Sequence, residues 1–361
     1  MSAALPTVPW DSLAEAGTLA RAHPDGIVDL SVGTPVDPVP PFIRQALASA
    51  AAAPGYPTTH GTPELREAAV GALERRHGVT GLPADAVLPT IGSKEFVAWL
   101  PTLLGLGASD LVVIPSLAYP TYEVGVQLAG ARLLRADSTV AIGPERPALV
   151  WLNSPANPTG QVLPPEHLRK VVDWARSRGT LVVSDECYLT LGYAEPPVSV
   201  LHPSVCGGSF DGVLAVHSLS KCSSLAGYRA GFVTGDPALV ARLLATRRHA
   251  GMIVPRPVQA AMTAALSDDS HVAGQRARFA ARRDALRPAL LAAGFRIDHS
   301  AAGLYLWTTR DEPAWDTVAW FAARGILVAP GTFYGPTGDR HVRIALTASD
   351  ERIAAAAARL A

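Results

Sequence analysis

The stretch from His217 to Phe232, HSLSKCSSLAGYRAGF, carries Lys221, one of three lysines (Lys94, Lys170 and Lys221) in a chain with 28 arginines. Arginine replaces lysine in most surface roles but cannot condense with an aldehyde to a Schiff base. A lysine kept between serines, ahead of Gly227 and Arg229, is therefore a candidate covalent attachment point. Other polar residues of useful type follow other apolar runs. Asn153 and Asn157 lie in WLNSPANPTG, Asp185 and Tyr188 in SDECY, and Ser218 and Ser220 just before Lys221. A carboxylate, amides, a phenol, hydroxyls and an amine gathered at one place could bind and activate a polar small molecule. TIGSKEFVAWL (90–100) opens a helix on a Gly-Ser turn, whose free backbone N–H groups form an anion site that Ser218 and Arg229 could complete. Taken singly, each residue also reads as plain structure: Asp185 as a cap, Asn157 as an Asx turn, Arg343 as a strand-edge ion pair, Tyr56, Tyr119 and Tyr188 as packing aromatics. Cys222, beside Lys221, reads as a small packing residue.

The elements that must bring these residues together are also readable. DLVVIP (110–115), PALVWLNSP (147–155), TLVVSDE (180–186) and GVLAVHSLS (212–220) are continuous apolar runs, the pattern of strands buried on both faces of a parallel sheet. PPEHLRKVVDWARSRG (164–179) starts on prolines, spaces its apolar residues helically and ends on glycine. Alternating strands and helices predict an α/β fold with right-handed crossovers, and ligands in such sheets sit beyond the carboxyl ends of the strands. From His271 to Ala293 the text predicts a long amphipathic helix. GLYLWTT, WDTVAWFAARGI and HVRIALT then predict a strand–helix–strand module in a smaller α+β unit.

Four motifs in order, SPANPTG (154–160), SDECY (184–188), SLSKCSSLAGYR (218–229) and HVRIAL (341–346), with YPTTHGTPELREA (56–68) before them, resemble the class I/II group of the fold-type I aminotransferases, which depend on pyridoxal 5'-phosphate. The separation of 36 positions between Asp185 and Lys221 is the family's spacing, and the resemblance covers nearly the whole chain. It implies a large domain of residues 40–265 with a mostly parallel central sheet in α/β/α layers, and a small domain made of 1–39 with 266–361. It implies that Lys221 holds the cofactor as a Schiff base and shuttles a proton, that Asp185 pairs with the pyridine nitrogen, and that Tyr188 and Asn157 bond the ring's phenolic oxygen. Tyr119 would stack on the ring. Ser93, Lys94, Ser218 and Arg229 would take the phosphate, with Tyr56 reaching it from the second subunit of a homodimer. Arg343 would clamp the substrate carboxylate beneath the Gly33 backbone. The implied reaction moves an amino group between an amino acid and a 2-oxo acid.

IGSKEFVAWLPTLL and the Lys221 segment look most like the N-succinyldiaminopimelate aminotransferases of high-GC bacteria, which serve lysine biosynthesis. LL-diaminopimelate, aspartate and aromatic amino acids stay open as substrates, as does carbon–sulfur β-elimination on the same residues. Lys94 and Arg256 are candidate donors to a distal anionic arm. A regulator built on the same domain is the remaining alternative, but only about thirty residues precede SVGTP, with no helix-turn-helix pattern.

Composition sets the other bounds. Acids and bases balance at 31 each, so no net field steers the chain to nucleic acid or to an anionic membrane. No apolar run approaches a membrane span, and MSAALPTVPWDSL lacks a basic segment followed by a long apolar one. Three cysteines (187, 206, 222) without paired spacing predict a reduced, cytoplasmic setting. The ten histidines show no metal-ligand spacing.

Overall fold

A computed structural model of the chain describes residues 9–194 and 196–360. Its central sheet has seven strands in the order Val87–Ile91, Ala230–Gly235, Val213–Ser218, Leu181–Asp185, Leu149–Asn153, Leu111–Ile114 and Arg132–Arg135. Ala230–Gly235 is antiparallel to both of its neighbours, and every other pairing is parallel. The four apolar runs form four of these strands, and every residue of the four is buried. Helices cover both faces, so side chains of alternate parity enter two separate apolar layers. Val150, Leu152 and Val182 pack with the Pro165–Arg176 helix, whereas Trp151 and Val183 pack with the Gly92–Leu103 and Thr121–Ala129 helices.

Register puts the polar strand ends side by side. Asn153 pairs with Asp185, Asp185 with Val216, and Ser218 with Gly231. The convergence expected at the carboxyl edge therefore follows from the ladder itself.

A second sheet orders Ala329–Pro330, Val342–Ala345, Tyr305–Thr309 and Arg296–Asp298, all antiparallel. The expected strands at GLYLWTT and HVRIALT are direct neighbours in it, with Trp307 opposite Arg343. The long helix runs Ser270–Ala292, and the C-terminal helix, Asp350–Leu360, packs against it. The N-terminal segment joins this unit: Val28–Asp29 pairs in parallel with Ile326–Leu327, and Leu13, Val28 and Leu30 share its core. Among the described residues no helix is long and apolar enough to cross a membrane.

Candidate active site

Asp185 ends its strand with 6% of its surface exposed, and no cation forms an ion pair with it among the described residues. Tyr122 donates to its Oδ2 at 2.8 Å and the Cys187 N–H to its Oδ1 at 3.1 Å. Burial raises its proton affinity, against the pull of those two hydrogen bonds. Tyr122 is held for the purpose by stacking on Trp151, at 4.9 Å between centroids and 22° between planes. Tyr119, whose hydroxyl burial pushes up to about 12, meets Tyr122 edge-on at 5.9 Å.

Arg343 is the opposite case. It is 2% exposed and has no carboxylate partner among the described residues. Nη1 donates to Asn157 Oδ1 at 2.9 Å and Nη2 to Ser31 O at 2.8 Å, while the buried Nε has no acceptor. The faces of Tyr305 and Tyr334 lie 4.0 and 4.9 Å from the guanidinium carbon. Their π electrons offset part of its lost hydration. Trp10, 5.9 Å away, also donates to Ser31 O, so the N-terminal segment helps fix the acceptor.

Two asparagines connect the anion to the cation. Asn153 Nδ2 donates to Asp185 O at 2.9 Å, and its Oδ1 accepts the Asn157 N–H at 2.8 Å. Asn157 then meets Arg343, which leaves its Nδ2 as the group free to bond a ligand.

Lys221 lies three residues past Ser218 and donates from Nζ to Gly33 O. Burial lowers its proton affinity, and the positive charges of Arg343 and Arg229 lower it further. Gly33 is required by space: a Cβ there would overlap the Tyr305 hydroxyl. That hydroxyl is also 3.2 Å from the Tyr188 hydroxyl.

The Gly92–Leu103 helix begins with no side-chain cap, so the Ser93 and Lys94 N–H groups are free at its positive end. Glu95 reaches back to the Ile91 N–H but is neutralised by Arg247, at 2.7 and 3.0 Å, and so does not repel an anion. Gly92, at φ +71, brings the helix start under the Arg229 guanidinium, which a Cβ would overlap. Arg229 itself holds φ +57, an uncommon conformation for a side-chain-bearing residue.

Of the predicted site residues, Asp185, Asn157, Tyr119, Tyr188, Lys221, Gly33 and Arg343 are thus linked through one another or through Tyr122 and Tyr305. Ser93 and Arg229 meet at the helix start, and Ser218 closes its strand beside them, accepting the Ser220 N–H at 3.1 Å. The Lys94 side chain is exposed, as is Arg256. Tyr56 is 99% exposed and has no hydrogen-bond partner among the described residues. Tyr122, Tyr305, Tyr334 and Trp10 were not expected. A cleft of about 590 Å³ bordered by Ser116, Asp137, Thr159, Asp298 and His341 reaches Asn153 but none of the residues expected to hold cofactor or substrate, so polar convergence rather than size identifies the site.

The donor set matches pyridoxal phosphate group by group: an amine for the aldehyde, a buried carboxylate for the ring nitrogen, and free N–H groups with a guanidinium for the phosphate.

The family model described as "Aminotransferase class I and II" matches residues 25–360. A probable aminotransferase of Mycobacterium tuberculosis is 69% identical over all of this chain and 86% of its own length. The 4-dedimethylamino-4-oxo-anhydrotetracycline transaminase of Streptomyces rimosus is 59% identical over 99% of both chains. A solved structure of a probable N-succinyldiaminopimelate aminotransferase from Thermus thermophilus superposes with a TM-score of 0.88 at 29% identity, covering 98% of this chain and 99% of that one.

Proposed function

The chain belongs to the class I and II aminotransferases, which use pyridoxal phosphate, and on that footing we propose that it exchanges the amino group between N-succinyl-LL-2,6-diaminopimelate and 2-oxoglutarate. One observation carries the reading of the site: Asp185 and Arg343 are buried charges of opposite sign, and neither has an ion-pair partner among the described residues. An uncompensated buried charge is costly, and a ligand with a cationic ring N–H and a carboxylate would satisfy both.

When bound, pyridoxal phosphate supplies a conjugated ring that accepts the electron pair left by the departing α-proton. Asp185 holds the charge on the ring nitrogen that makes this possible, steadied by Tyr122. The Lys221 amine, biased by burial toward its neutral form, is the covalent anchor and the group that takes and returns the α-proton. Arg343 fixes the substrate carboxylate as a two-pronged donor, which sets which α-bond faces the amine. Asn157 Nδ2 and the Tyr188 hydroxyl serve the ring's phenolic oxygen, and Tyr119 covers the ring. Ser93, Lys94, Ser218 and Arg229 take the phosphate. Full exposure of the Tyr56 ring supports its reaching the site of a second copy in a homodimer. The same reading divides the chain at residues 40 and 265 and assigns it to the cytoplasm.

The succinylated substrate is supported by the likeness to the Thermus protein. A second reading, transfer of an amino group to a polycyclic ketone, is favoured by 59% identity to the tetracycline transaminase. Absorbance titration of the cofactor-loaded protein separates them. Glutamate, N-succinyl-LL-diaminopimelate, LL-diaminopimelate, aspartate, phenylalanine and cystathionine are added separately. Conversion of the visible band by glutamate and by the succinylated compound upholds the proposal. Conversion by glutamate, with re-oxidation only by a polycyclic ketone, supports the second reading. A persistent band with ammonia and pyruvate released from cystathionine makes the enzyme a lyase.

A further inference from the structure

Tyr305 belongs to no motif that pointed to the site, yet it touches both of its halves. It sits mid-core on the Tyr305–Thr309 strand, 4% exposed, opposite Ala345 and two positions from the pairing of Trp307 with Arg343. Its ring lies 4.0 Å beneath the Arg343 guanidinium. Its hydroxyl is 3.2 Å from that of Tyr188, with the two rings edge-to-face at 5.8 Å and 77°. The same hydroxyl fills the space that a side chain at residue 33 would need, directly below the carbonyl that accepts Lys221 Nζ.

Proton counting fixes the direction of the phenol pair. Each hydroxyl has one proton, and a Tyr188 that donates to a bound ligand has none left for Tyr305. Tyr305 must then be the donor and Tyr188 the acceptor, and a phenol that accepts a hydrogen bond is itself a stronger donor. One side chain thus sets the Tyr188 hydroxyl and holds the carboxylate clamp flat.

We infer that Tyr305 is a positioning residue for both halves of the site: its hydroxyl aims and strengthens Tyr188 toward the cofactor, and its ring seats Arg343 for the substrate carboxylate. The inference rests on the roles proposed above for Tyr188 and Arg343, and the experiment is arranged so that the two failures differ.

The probe is the cofactor-loaded enzyme, and the readout is the pH midpoint of its visible absorbance band, measured without substrate. Tyr188→Phe, Tyr305→Phe and the double variant are compared with the wild type. A hydrogen bond of ordinary strength corresponds to about half to one pH unit. Tyr305→Phe should move the midpoint by roughly that amount, in the same direction as Tyr188→Phe and by less. In the Tyr188→Phe background it should add nothing, a silence that a merely structural role would not produce. If Tyr188→Phe shifts the band and Tyr305→Phe does not, or if the two shifts simply add, the inference is overturned. If Tyr188→Phe itself leaves the midpoint unmoved, the reading of Tyr188 falls first and takes the hydroxyl's role with it.

The ring is tested by binding of 2-methylglutamate, an amino acid with no α-proton to lose, followed in the same band. Tyr305→Phe should leave its affinity within about twofold, and Tyr305→Leu should weaken it roughly three- to thirtyfold, the range of a partly desolvated cation–π contact. Equal affinity in the Phe and Leu variants removes the ring from the clamp.

Discussion

Replacing Arg343 by methionine should separate what the guanidinium does for substrate from what it does for the fold. The side chain is 2% exposed and donates to Asn157 Oδ1 and Ser31 O, with no carboxylate among the described residues to offset its charge. Removing a buried uncompensated cation relieves a desolvation cost of several kcal/mol. It also strands Asn157 Oδ1, at about 1–3 kcal/mol, and leaves Ser31 O with the Trp10 N–H alone. These opposing terms are of similar size, so the cofactor-loaded variant without substrate should unfold within about 2 kcal/mol of the wild type. Substrate binding has no such compensation. Breaking a desolvated carboxylate–guanidinium pair costs about 2–5 kcal/mol, which is roughly a 30- to 5,000-fold loss in kcat/KM. The assay is the half-reaction with glutamate, paired with denaturant melts in the presence of 2-oxoglutarate. At a hundred times the wild-type Kd, ligand should stabilise the wild type by about 2.7 kcal/mol, and a variant binding thirtyfold more weakly by only about 0.9 kcal/mol. If kcat/KM stays within threefold, or if 2-oxoglutarate stabilises both proteins equally, Arg343 does not bind the carboxylate and the argument from unpaired charge fails.

Lys221→Ala should lose essentially all turnover and all borohydride-trapped cofactor in the protein's mass spectrum; trapped cofactor in the variant would move the attachment point elsewhere. Tyr122→Phe keeps the stack on Trp151 but deletes the 2.8 Å bond to Asp185, a contact of about 1.5–3 kcal/mol for a charged acceptor. Cofactor should dissociate at least several-fold faster, and an unchanged off-rate would show that Asp185 does not depend on that bond. Gly33→Ala forces the backbone away from the Tyr305 hydroxyl, so kcat/KM should fall on the order of a hundredfold while the melting midpoint barely moves; a fully active variant would remove the Gly33 backbone from the site. Burial pushes the His217 imidazole down to about 3, so its 3.8 Å approach to Glu186 is no ion pair at neutral pH. The unfolded chain takes up that proton near 6.5, so stability is lost as pH falls from about 6.5 toward 3. Glu186, pushed up to about 7 by burial, works the other way and costs stability as pH rises from about 4.5 to 7. His217→Phe retains the stack on Phe232 and should remove the His217 share of the first limb, leaving the share of His77, which burial pushes down to about 4, and leaving the second limb; denaturant melts from pH 7.5 down to 4 that fall as steeply as the wild type's would refute it.

Sequence alone reached the four central strands because each is an unbroken apolar run, and a strand buried on both faces has no other way to look. The three that escaped have local reasons. Arg132–Arg135 is an edge strand bounded by charge, and Val87–Ile91 contains Pro89. Ala230–Gly235 carries Gly231, where a Cβ would come within 2.9 Å of the His217 carbonyl. The site divides along similar lines. Lys221, Asp185 and Arg343 stand out because charge beside a buried strand is unusual and needs a reason. Tyr122, Tyr305 and Tyr334 do not, because an aromatic inside an apolar element already has one. Only the pairing of Tyr122 with a carboxylate 63 positions away distinguishes it from any other core tyrosine.

The two unpaired charges are also tied to each other. From the Asp185 carbonyl the hydrogen bonds run to Asn153, from Asn153 to Asn157, from Asn157 to Arg343 and from Arg343 to Ser31. Asn153 and Asp185 belong to the parallel sheet, Arg343 to the antiparallel one, and Ser31 to the N-terminal segment, so the chain of bonds crosses three parts of the fold. A ligand that bridges Asp185 and Arg343 needs their separation held to a fraction of an ångström. Side-chain packing alone would let two sheets slide, whereas directional bonds through fixed amides do not. The same network explains why neither charge has a counter-ion among the described residues. A carboxylate placed against Arg343, or a cation against Asp185, would stabilise the empty protein but would compete for the very group each must give to its ligand.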